Sequence, residues 1–118
     1  MSAREVVMGF QTAMGKGDMK AARGYLADNL SFIGPFESFQ SPDPYLQALG
    51  RLAPMIERID MKRAFFDGDE AALFYDLVTK GPAGTAPCAE WYTVNGNKIT
   101  HIRVLFDARP FAPMFEKK

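Results

Sequence analysis

The sequence predicts an α+β fold in which a long, curved antiparallel sheet wraps over three N-terminal helices to form a cone. Apolar residues follow helical spacing in the first part of the chain, whereas residues after Ile56 follow strand patterns. Asn95-Gly96, between two strand-like segments, is the strongest short hairpin signal. A chain of 118 residues has the usual size of one domain, so we expect residues 1–118 to fold as a single unit.

The opening segment predicts the first helix, because apolar residues recur every three or four positions over residues 3–14. Ser2 and Glu5 fit a capping box, and Gly15 favours an end to the helix. Asp18 is a suitable cap for a second helix, and the pair Asp43-Pro44 for a third. The expected pieces of this half are a helix over 18–27, an extended piece over 30–33, a loop over 36–42 and a helix over 45–53.

The second half predicts an antiparallel meander, because β-branched and apolar runs alternate with turn residues. We expect strands over 57–66, 71–79, 88–94 and 98–107, with a Gly- and Pro-rich loop over 80–87. The tail from Ala108 is expected to pack across the outside of the sheet. The open mouth of such a cone is a natural site for a ligand.

Alternation along the last strand separates its two faces. Ile102, Val104 and Phe106 share one side, which we assign to the interior, and His101 and Leu105 share the other. Large apolar side chains are also expected on the outer face, and a patch of this kind usually marks a partner surface. The residues of this predicted patch are Phe74, Val78, Trp91 and Leu105, and the proposed partner contact is through Phe74, Trp91 and Leu105.

The composition excludes several classes of function. The 14 basic residues balance the 14 acidic ones without any charged run, which disfavours nucleic-acid binding. One cysteine, Cys88, excludes an internal disulfide, and with a single histidine it leaves too few ligands for a zinc site. The charged N-terminus is unlike a signal peptide and no apolar run is long enough for a membrane span. We therefore expect a cytoplasmic protein without a cofactor or a metal.

Three segments resemble the nuclear transport factor 2-like superfamily, within it the SnoaL-like proteins related to polyketide cyclases and ketosteroid isomerases. They are a first helix ending in MGKGD, a second ending in YLADNLSFIGP, and the late strands CAEWYTVNGNKITHIRVLFDARPF. The resemblance covers nearly the whole chain and implies a cystatin-like cone with an apolar pocket. It also implies a homodimer through the outer face, where a twofold axis brings each residue against its own copy.

The catalytic residues of the relatives are not reproduced here. By resemblance, the oxyanion-hole tyrosine of ketosteroid isomerase falls at Phe10 and its base near Gly34, while its second acid falls near Ala89 or Glu90. The Asp-Arg-Asp set of limonene-epoxide-hydrolase-like proteins has no inward counterpart, and His101 is expected to face outward, unlike the acid/base residue of a cyclase. The sequence therefore indicates the fold more specifically than the reaction.

Glu90 is the candidate proton-handling group, because the resemblance places it on the cavity side of its strand. A carboxyl among apolar side chains loses hydration, which raises its pKa and suits a general acid or base. The alternative is a structural carboxylate that pairs with Arg63 or Arg103, or accepts a hydrogen bond from a tyrosine. Asp107 is likewise either an acid at the pocket mouth or a partner of Arg109 that fixes the tail.

Tyr75 and Tyr92 are the candidates for orienting a ligand oxygen, although each hydroxyl-bearing ring is also suited to the core. The expected apolar walls, which overlap with ordinary core, are Phe10, Met14, Phe32, Leu77, Ile102, Val104 and Phe106.

The leading hypothesis is a small-molecule-binding protein whose pocket takes an apolar or semi-polar ligand. If it is an enzyme, we expect cofactor-free acid/base chemistry of the isomerase, cyclase or hydratase type. The alternatives are a non-catalytic dimeric module for ligand binding or scaffolding and, less favoured by the compact length, an accessory domain of another enzyme.

Overall fold

The structure is a computed structural model that describes residues 2–115, and over these residues it is a mixed α+β fold with one curved, open sheet. The helices are Ala3–Gly15 (α1), Met19–Gly24 (α2), Pro42–Leu52 (α3) and Ala112–Phe115 (α4). The strands are Leu26–Ile33 (β1), Ser38–Phe39 (β2), Ile56–Asp67 (β3), Glu70–Thr79 (β4), Thr85–Asn95 (β5) and Lys98–Phe106 (β6). Short 3₁₀ turns lie at Ala53–Met55 and Arg109–Phe111.

The six strands follow the order β2-β1-β6-β5-β4-β3, and β3 to β6 form the predicted meander. All pairs are antiparallel except β1 with β6, which run parallel. The backbone N–H of Ile99 donates to the carbonyl of Tyr25 at 2.8 Å and ties the start of β1 to this last strand. The predicted fold class is confirmed, with one parallel pair added at the β1 side.

Helix α1 follows the sequence prediction closely. Its capping box is formed, with Ser2 N to Glu5 Oε1 at 2.9 Å and Glu5 N to Ser2 Oγ at 3.2 Å. The predicted apolar side is buried against the sheet, including Val6, Val7 and Phe10. Gly17 follows the helix with φ of 71°, a backbone conformation that glycine adopts at low cost.

Several predicted boundaries are wrong. Strand β5 begins at Thr85, inside the loop expected over 80–87, and β2 lies inside the loop expected over 36–42. The ends of two helices also differ from the prediction. Helix α2 ends at Gly24 and β1 begins at Leu26, because Leu26 is buried and pairs with Ile99 across the sheet. Helix α3 begins at Pro42, since a proline is well suited to the first helical turn, where its missing N–H costs no hydrogen bond. Long-range strand pairing and local proline geometry decide these ends, and periodicity alone does not report either.

The inner face of the sheet has two ends with different coverage. At the packed end, under α1, the side chains of Phe10, Leu73, Tyr92 and Ile102 are almost completely inaccessible. At the hollow end, under α3, the sheet faces an open cavity. Glu90 lies between them, opposite Leu73 on β4 and Val104 on β6.

The tail closes one side of the hollow end instead of crossing the outside of the sheet as predicted. Phe111 is buried and its ring lies edge-on to Phe106, with 5.3 Å between centroids. Asp107 accepts bonds from the backbone N–H and the guanidinium of Arg109, at 3.1, 3.0 and 2.8 Å, and this guanidinium lowers its pKa to about 2. Asp107 therefore makes the contact with Arg109 that the second of its two predicted roles requires.

The outer face exposes the predicted apolar residues except Val78, which is half-buried. Leu105 is 60% exposed and Trp91 47%, and Phe74 lies beside Phe65 with 6.0 Å between ring centroids. The Trp91 indole N–H donates to Glu70 at 2.7 Å, and its ring meets His101 edge-on, so the histidine faces outward as expected. No helix within residues 2–115 has both the length and the apolar character needed to cross a bilayer.

Candidate functional site

A cavity of about 480 Å³ lies between α3, the turn from β1 to β2, and the inner face of the sheet. Helix α3 contributes one side of its surface at i, i+3, i+4 and i+7 spacing, formed by Tyr45, Ala48, Leu49 and Leu52. The sheet contributes Tyr75, Leu77, Cys88, Glu90, Val104 and Phe106. Two further charged residues, Glu37 and Arg51, also line the cavity.

Glu90 contributes a carboxyl to this mostly apolar lining from the sheet, and three side chains donate hydrogen bonds to it. The Tyr75 hydroxyl donates to Oε2 at 2.7 Å. Gln11 Nε2 donates to Oε1 at 3.1 Å, and the Tyr92 hydroxyl donates to the same oxygen. Gln11 Nε2 also donates to the Tyr92 hydroxyl at 2.6 Å. The carboxylate is thus oriented by neighbours on α1, β4 and β5.

The two carboxylate oxygens differ in what they face. Oε1 is bonded by Gln11 and Tyr92, and neither of these residues lines the cavity. Oε2 is bonded by Tyr75, which does line it. A carboxylate oxygen accepts about two hydrogen bonds, so Oε2 keeps capacity for a donor from a ligand.

Burial raises the pKa of Glu90, because the charged form loses hydration, while the bonds from Tyr92, Tyr75 and Gln11 partly oppose that rise. Burial, followed by the charge of Glu90, raises the pKa of Tyr75 and Tyr92 well above the usual tyrosine value. Both phenols therefore stay protonated near neutral pH and remain donors. The arrangement can accept a proton at Oε2 and return it.

Neither predicted arginine partner pairs with Glu90. Arg63 lies opposite Phe74 and Arg103 opposite Trp91, both on the outer face. Among residues 2–115, no ion pair involves Glu90. The predicted hydrogen bond from a tyrosine is present, and it coexists with the position of the carboxyl on the cavity wall.

The predicted apolar walls divide between the two ends of the inner face. Phe32, Leu77, Val104 and Phe106 line the cavity. Phe10, Met14 and Ile102 lie outside its lining and pack in or against the core at the packed end. Tyr92 is also enclosed there, 0% exposed, so its hydroxyl reaches Glu90 but not the cavity.

Sequence reasoning missed Gln11 and Tyr45. Gln11 lies four residues after Val7, at the edge of the apolar side of α1, and a polar residue at that place is a signal for a buried partner. Tyr45 is the first residue of the apolar series along α3. The sequence predicts a helix that begins at Tyr45, whereas α3 begins at Pro42, so Tyr45 lies inside the helix and not at its end. In the structure Tyr45 is 3% exposed and its ring stacks on Phe32 with 4.4 Å between centroids.

Cys88 lies on the cavity wall in the cross-strand row of Tyr75 and Phe106. Burial, reinforced by the charge of Glu90, raises the pKa of its thiol to about 11. Nucleophilic chemistry needs the thiolate, so this residue is a wall of the cavity and not an activated nucleophile.

Comparison with known proteins agrees with this architecture. The SnoaL-like domain profile matches residues 7–102, which is most of the chain. The chain belongs to the SnoaL-like domain family. No curated protein sequence matches it.

Solved structures place this SnoaL-like chain within the nuclear transport factor 2-like fold. A protein from Kribbella flavida DSM 17836 is 26% identical, with a TM-score of 0.84 over 92% of this chain and 89% of the other. An NTF2-like protein of unknown function from Cytophaga hutchinsonii ATCC 33406 is 25% identical, with a TM-score of 0.81 over 98% and 96%. A LEH-like epoxide hydrolase from M. tuberculosis shares the fold at 19% identity, with a TM-score of 0.78 over 96% and 88%.

Proposed function

We propose that this SnoaL-like chain acts as one domain, residues 1–118, that binds a small apolar or semi-polar molecule and moves a proton on it without a cofactor. Glu90 is the acid/base group, and the reaction is of the isomerase, cyclase or hydratase type. Tyr75 and Tyr92 hold the carboxylate in place, Tyr75 from the cavity wall and Tyr92 from the core. The single, buried Cys88 fits a reducing, cytoplasmic location.

One observation carries this proposal: a carboxyl with a burial-raised pKa opens on an apolar cavity while three neutral donors fix its direction. A general base works best when its pKa lies close to the working pH and its geometry is fixed before the substrate arrives. A carboxylate in an ion pair would have its pKa lowered, which is the opposite requirement.

The experiment is deuterium exchange into 2-tetralone, a bicyclic ketone with weakly acidic hydrogens at C1, followed by NMR in D₂O. In the catalysed step Glu90 Oε2 takes a proton from C1 and the electron pair of the C–H bond moves toward the carbonyl oxygen. The carboxyl then exchanges its proton with solvent and returns a deuteron to C1. We expect the wild-type protein to accelerate exchange, and Glu90→Gln to return it to the rate of buffer alone.

Glu70→Gln is the matched control, because it removes the same charge from an exposed glutamate on the outer face. It should exchange like wild type. Wild-type protein that gives only the buffer rate, or a Glu90→Gln variant that keeps the full rate, would contradict the proposal.

The exposed outer face supports an accompanying proposal, a homodimer formed through Phe74, Trp91 and Leu105. These side chains form neighbouring cross-strand rows on β4, β5 and β6, and such a surface is usually covered in solution. The alternative function, a dimeric ligand-binding or scaffolding module without chemistry, needs this face and does not need Glu90. Under that alternative, Trp91→Ala disrupts function whereas Glu90→Gln has little effect.

Sedimentation velocity tests the dimer. We expect wild type to sediment as a dimer and Leu105→Glu as a monomer, because a carboxylate in place of the most exposed apolar side chain of the patch resists burial. Ile59→Glu is the control: Ile59 is also exposed, at 43%, but it pairs with Leu77 and so lies on the inner side of the edge strand. A Leu105→Glu variant that remains dimeric would rule out this surface.

A further inference from the structure

The open side of the cavity carries two charged side chains of opposite sign. Arg51 comes from the end of α3 and Glu37 from the turn between β1 and β2, and both line the cavity. Arg51 is exposed, as are Pro35 and Phe36 in that turn, so the cavity meets solvent on this side. Glu90 lies instead at the boundary with the packed end, where α1 and β5 supply donors to it. The cavity thus has a charged mouth and a separate, hydrogen-bonded carboxyl inside.

The spacing of α3 brings Arg51 to this mouth. Arg51 follows Ala48 by three residues and precedes Met55 by four, and both of these residues also line the cavity. Arg51 lies in the last turn of the helix, where a positive charge interacts favourably with the helix dipole. That interaction does not use up the five N–H donors of the guanidinium, which remain available to a ligand.

The guanidinium of Arg51 has no partner within residues 2–115. Over that part of the chain it forms no hydrogen bond or ion pair, either with Glu37 or with another residue. By contrast, Arg23, Arg58 and Arg109 each hold a carboxylate at 2.8 Å. A guanidinium without a partner at the wall of an apolar cavity can receive an anion, and its planar fork matches a carboxylate through two parallel hydrogen bonds.

The other charged groups of the lining limit where an anion can bind. Among the described residues that line the cavity, Arg51 is the one cation, whereas Glu37 and Glu90 are carboxyls. An anionic group therefore has one favourable position, at Arg51, and a ligand that carries it enters in a single orientation. A cationic group would have two such positions. At Glu90 it would also lower the pKa of the carboxyl, which opposes the raised pKa that a general base needs here.

We propose that Arg51 binds the carboxylate of an amphipathic organic acid, whose apolar part fills the cavity and reaches toward Glu90. This inference rests on the proposed function and names its substrate class, an acid whose reacting end is neutral. The volume of about 480 Å³ corresponds to roughly 16 water volumes of ~30 Å³ each, enough for a two-ring hydrocarbon. The aromatic and aliphatic walls suit that hydrocarbon, and the single orientation presents its far end to the base.

The test compares the binding of 2-naphthoate with that of 2-naphthamide, by isothermal titration calorimetry near neutral pH and at low salt. The two compounds have nearly the same shape, but only the acid is charged. We expect wild type to bind the acid roughly fivefold more tightly, the upper end for an exposed ion pair, and less so as salt is added. Arg51→Gln should lose this preference while its affinity for the amide stays unchanged. Arg51→Lys keeps the charge without the fork and should retain part of the preference.

Arg103→Gln is the matched control, because it removes the same charge from an exposed arginine on the outer face. It should keep the full preference for the acid. Glu37→Gln should bind the acid more tightly than wild type does, because it removes a like charge from the mouth. A general change in net charge would instead affect Arg51→Gln and Arg103→Gln alike.

Several results would overturn the inference: equal wild-type affinities for acid and amide, binding of neither, a preference that survives in Arg51→Gln, or one that is lost equally in Arg103→Gln. Tighter binding of 2-naphthylmethylamine than of 2-naphthoate would overturn it as well, since the carboxyls would then dominate. If the preference depends on Arg51 but Glu90→Gln still exchanges deuterium, the proposed function fails while the anion site stands. If Glu90→Gln abolishes exchange and the preference is absent, this inference alone fails.

Discussion

The packed end and the hollow end of the sheet share one inner face but differ in what covers them. At the packed end α1 places Phe10 between Tyr45 and Tyr92, with ring centroids 6.5 and 6.4 Å away. At the hollow end α3 presents Ala48 and Leu49 to a cavity of about 480 Å³. The same alternating strands therefore build a solid core in one place and a pocket in the other, and the covering helix decides which.

At the boundary between the two ends, a carboxyl can accept hydrogen bonds from the core and also face a ligand in the cavity. Moving along β5, Tyr92 is enclosed, Glu90 is partly buried, and Cys88 lies on the cavity wall. Two residues further toward the packed end, at the position of Tyr92, a carboxyl would have no access to a ligand. Two residues further toward the hollow end, at the position of Cys88, it would lie away from the donors on α1 and in the core.

The largest change in unfolding free energy is expected for one of two leucine truncations on β4, and comparing the two tests the contrast between the ends. Leu73 is enclosed at the packed end, and Leu77 lines the cavity. Leu73→Ala should reduce the free energy of unfolding by ~2–5 kcal/mol, because it leaves a new void in close-packed surroundings. Leu77→Ala should cost no more than the lower end of that range, about 2 kcal/mol, because its side chain already borders open space. Urea denaturation measures both, and equal losses would contradict the distinction between the ends.

A smaller effect is expected from the two tyrosine hydroxyls that donate to Glu90. Tyr92→Phe should cost ~1–3 kcal/mol of unfolding free energy, because Gln11 and Oε1 lose a partner where water cannot enter. Tyr75→Phe should cost less than about 1 kcal/mol, since water in the cavity can replace its hydroxyl. Thermal or urea unfolding of the two variants checks the order, and a larger loss for Tyr75→Phe would argue against the hollow end as described.

The smallest expected effect is the dependence of the unfolding free energy on pH. The pKa of Glu90 in the folded protein is raised above its ordinary value of 4.5, so the native state holds this proton more tightly than the unfolded chain. The resulting stabilisation is fully present below pH 4.5 and is lost as the pH rises through the folded pKa. The difference in unfolding free energy between wild type and Glu90→Gln should therefore fall with pH in that window. A flat difference would show that Glu90 has the same pKa in both states.

Much of the fold follows from the sequence because its signals are local. The capping box of α1, the turn at Asn95-Gly96 and the alternation of Ile102 with Arg103 each depend on neighbours a few residues away. The start of β1 at Leu26 depends instead on pairing with Ile99, far along the chain, and local periodicity carries no trace of it.

The site was predictable in part for the same reason. Alternation and resemblance were enough to single out Glu90 and Tyr75, which the structure brings together on the cavity wall. Periodicity assigns Phe10 and Phe32 alike to the interior, but only three-dimensional packing separates core from cavity.

The most direct measurement of the central claim is a ¹³C NMR titration of the glutamate side-chain carboxyls, with the Glu90 signal identified by its loss in Glu90→Gln. The account predicts that Glu90 titrates above 4.5, and that the midpoint rises further in Tyr75→Phe, which removes a donor to the charged form. A Glu90 midpoint at or below 4.5 would contradict the account, because it would mean that burial does not outweigh the hydrogen bonds that favour the charged carboxylate.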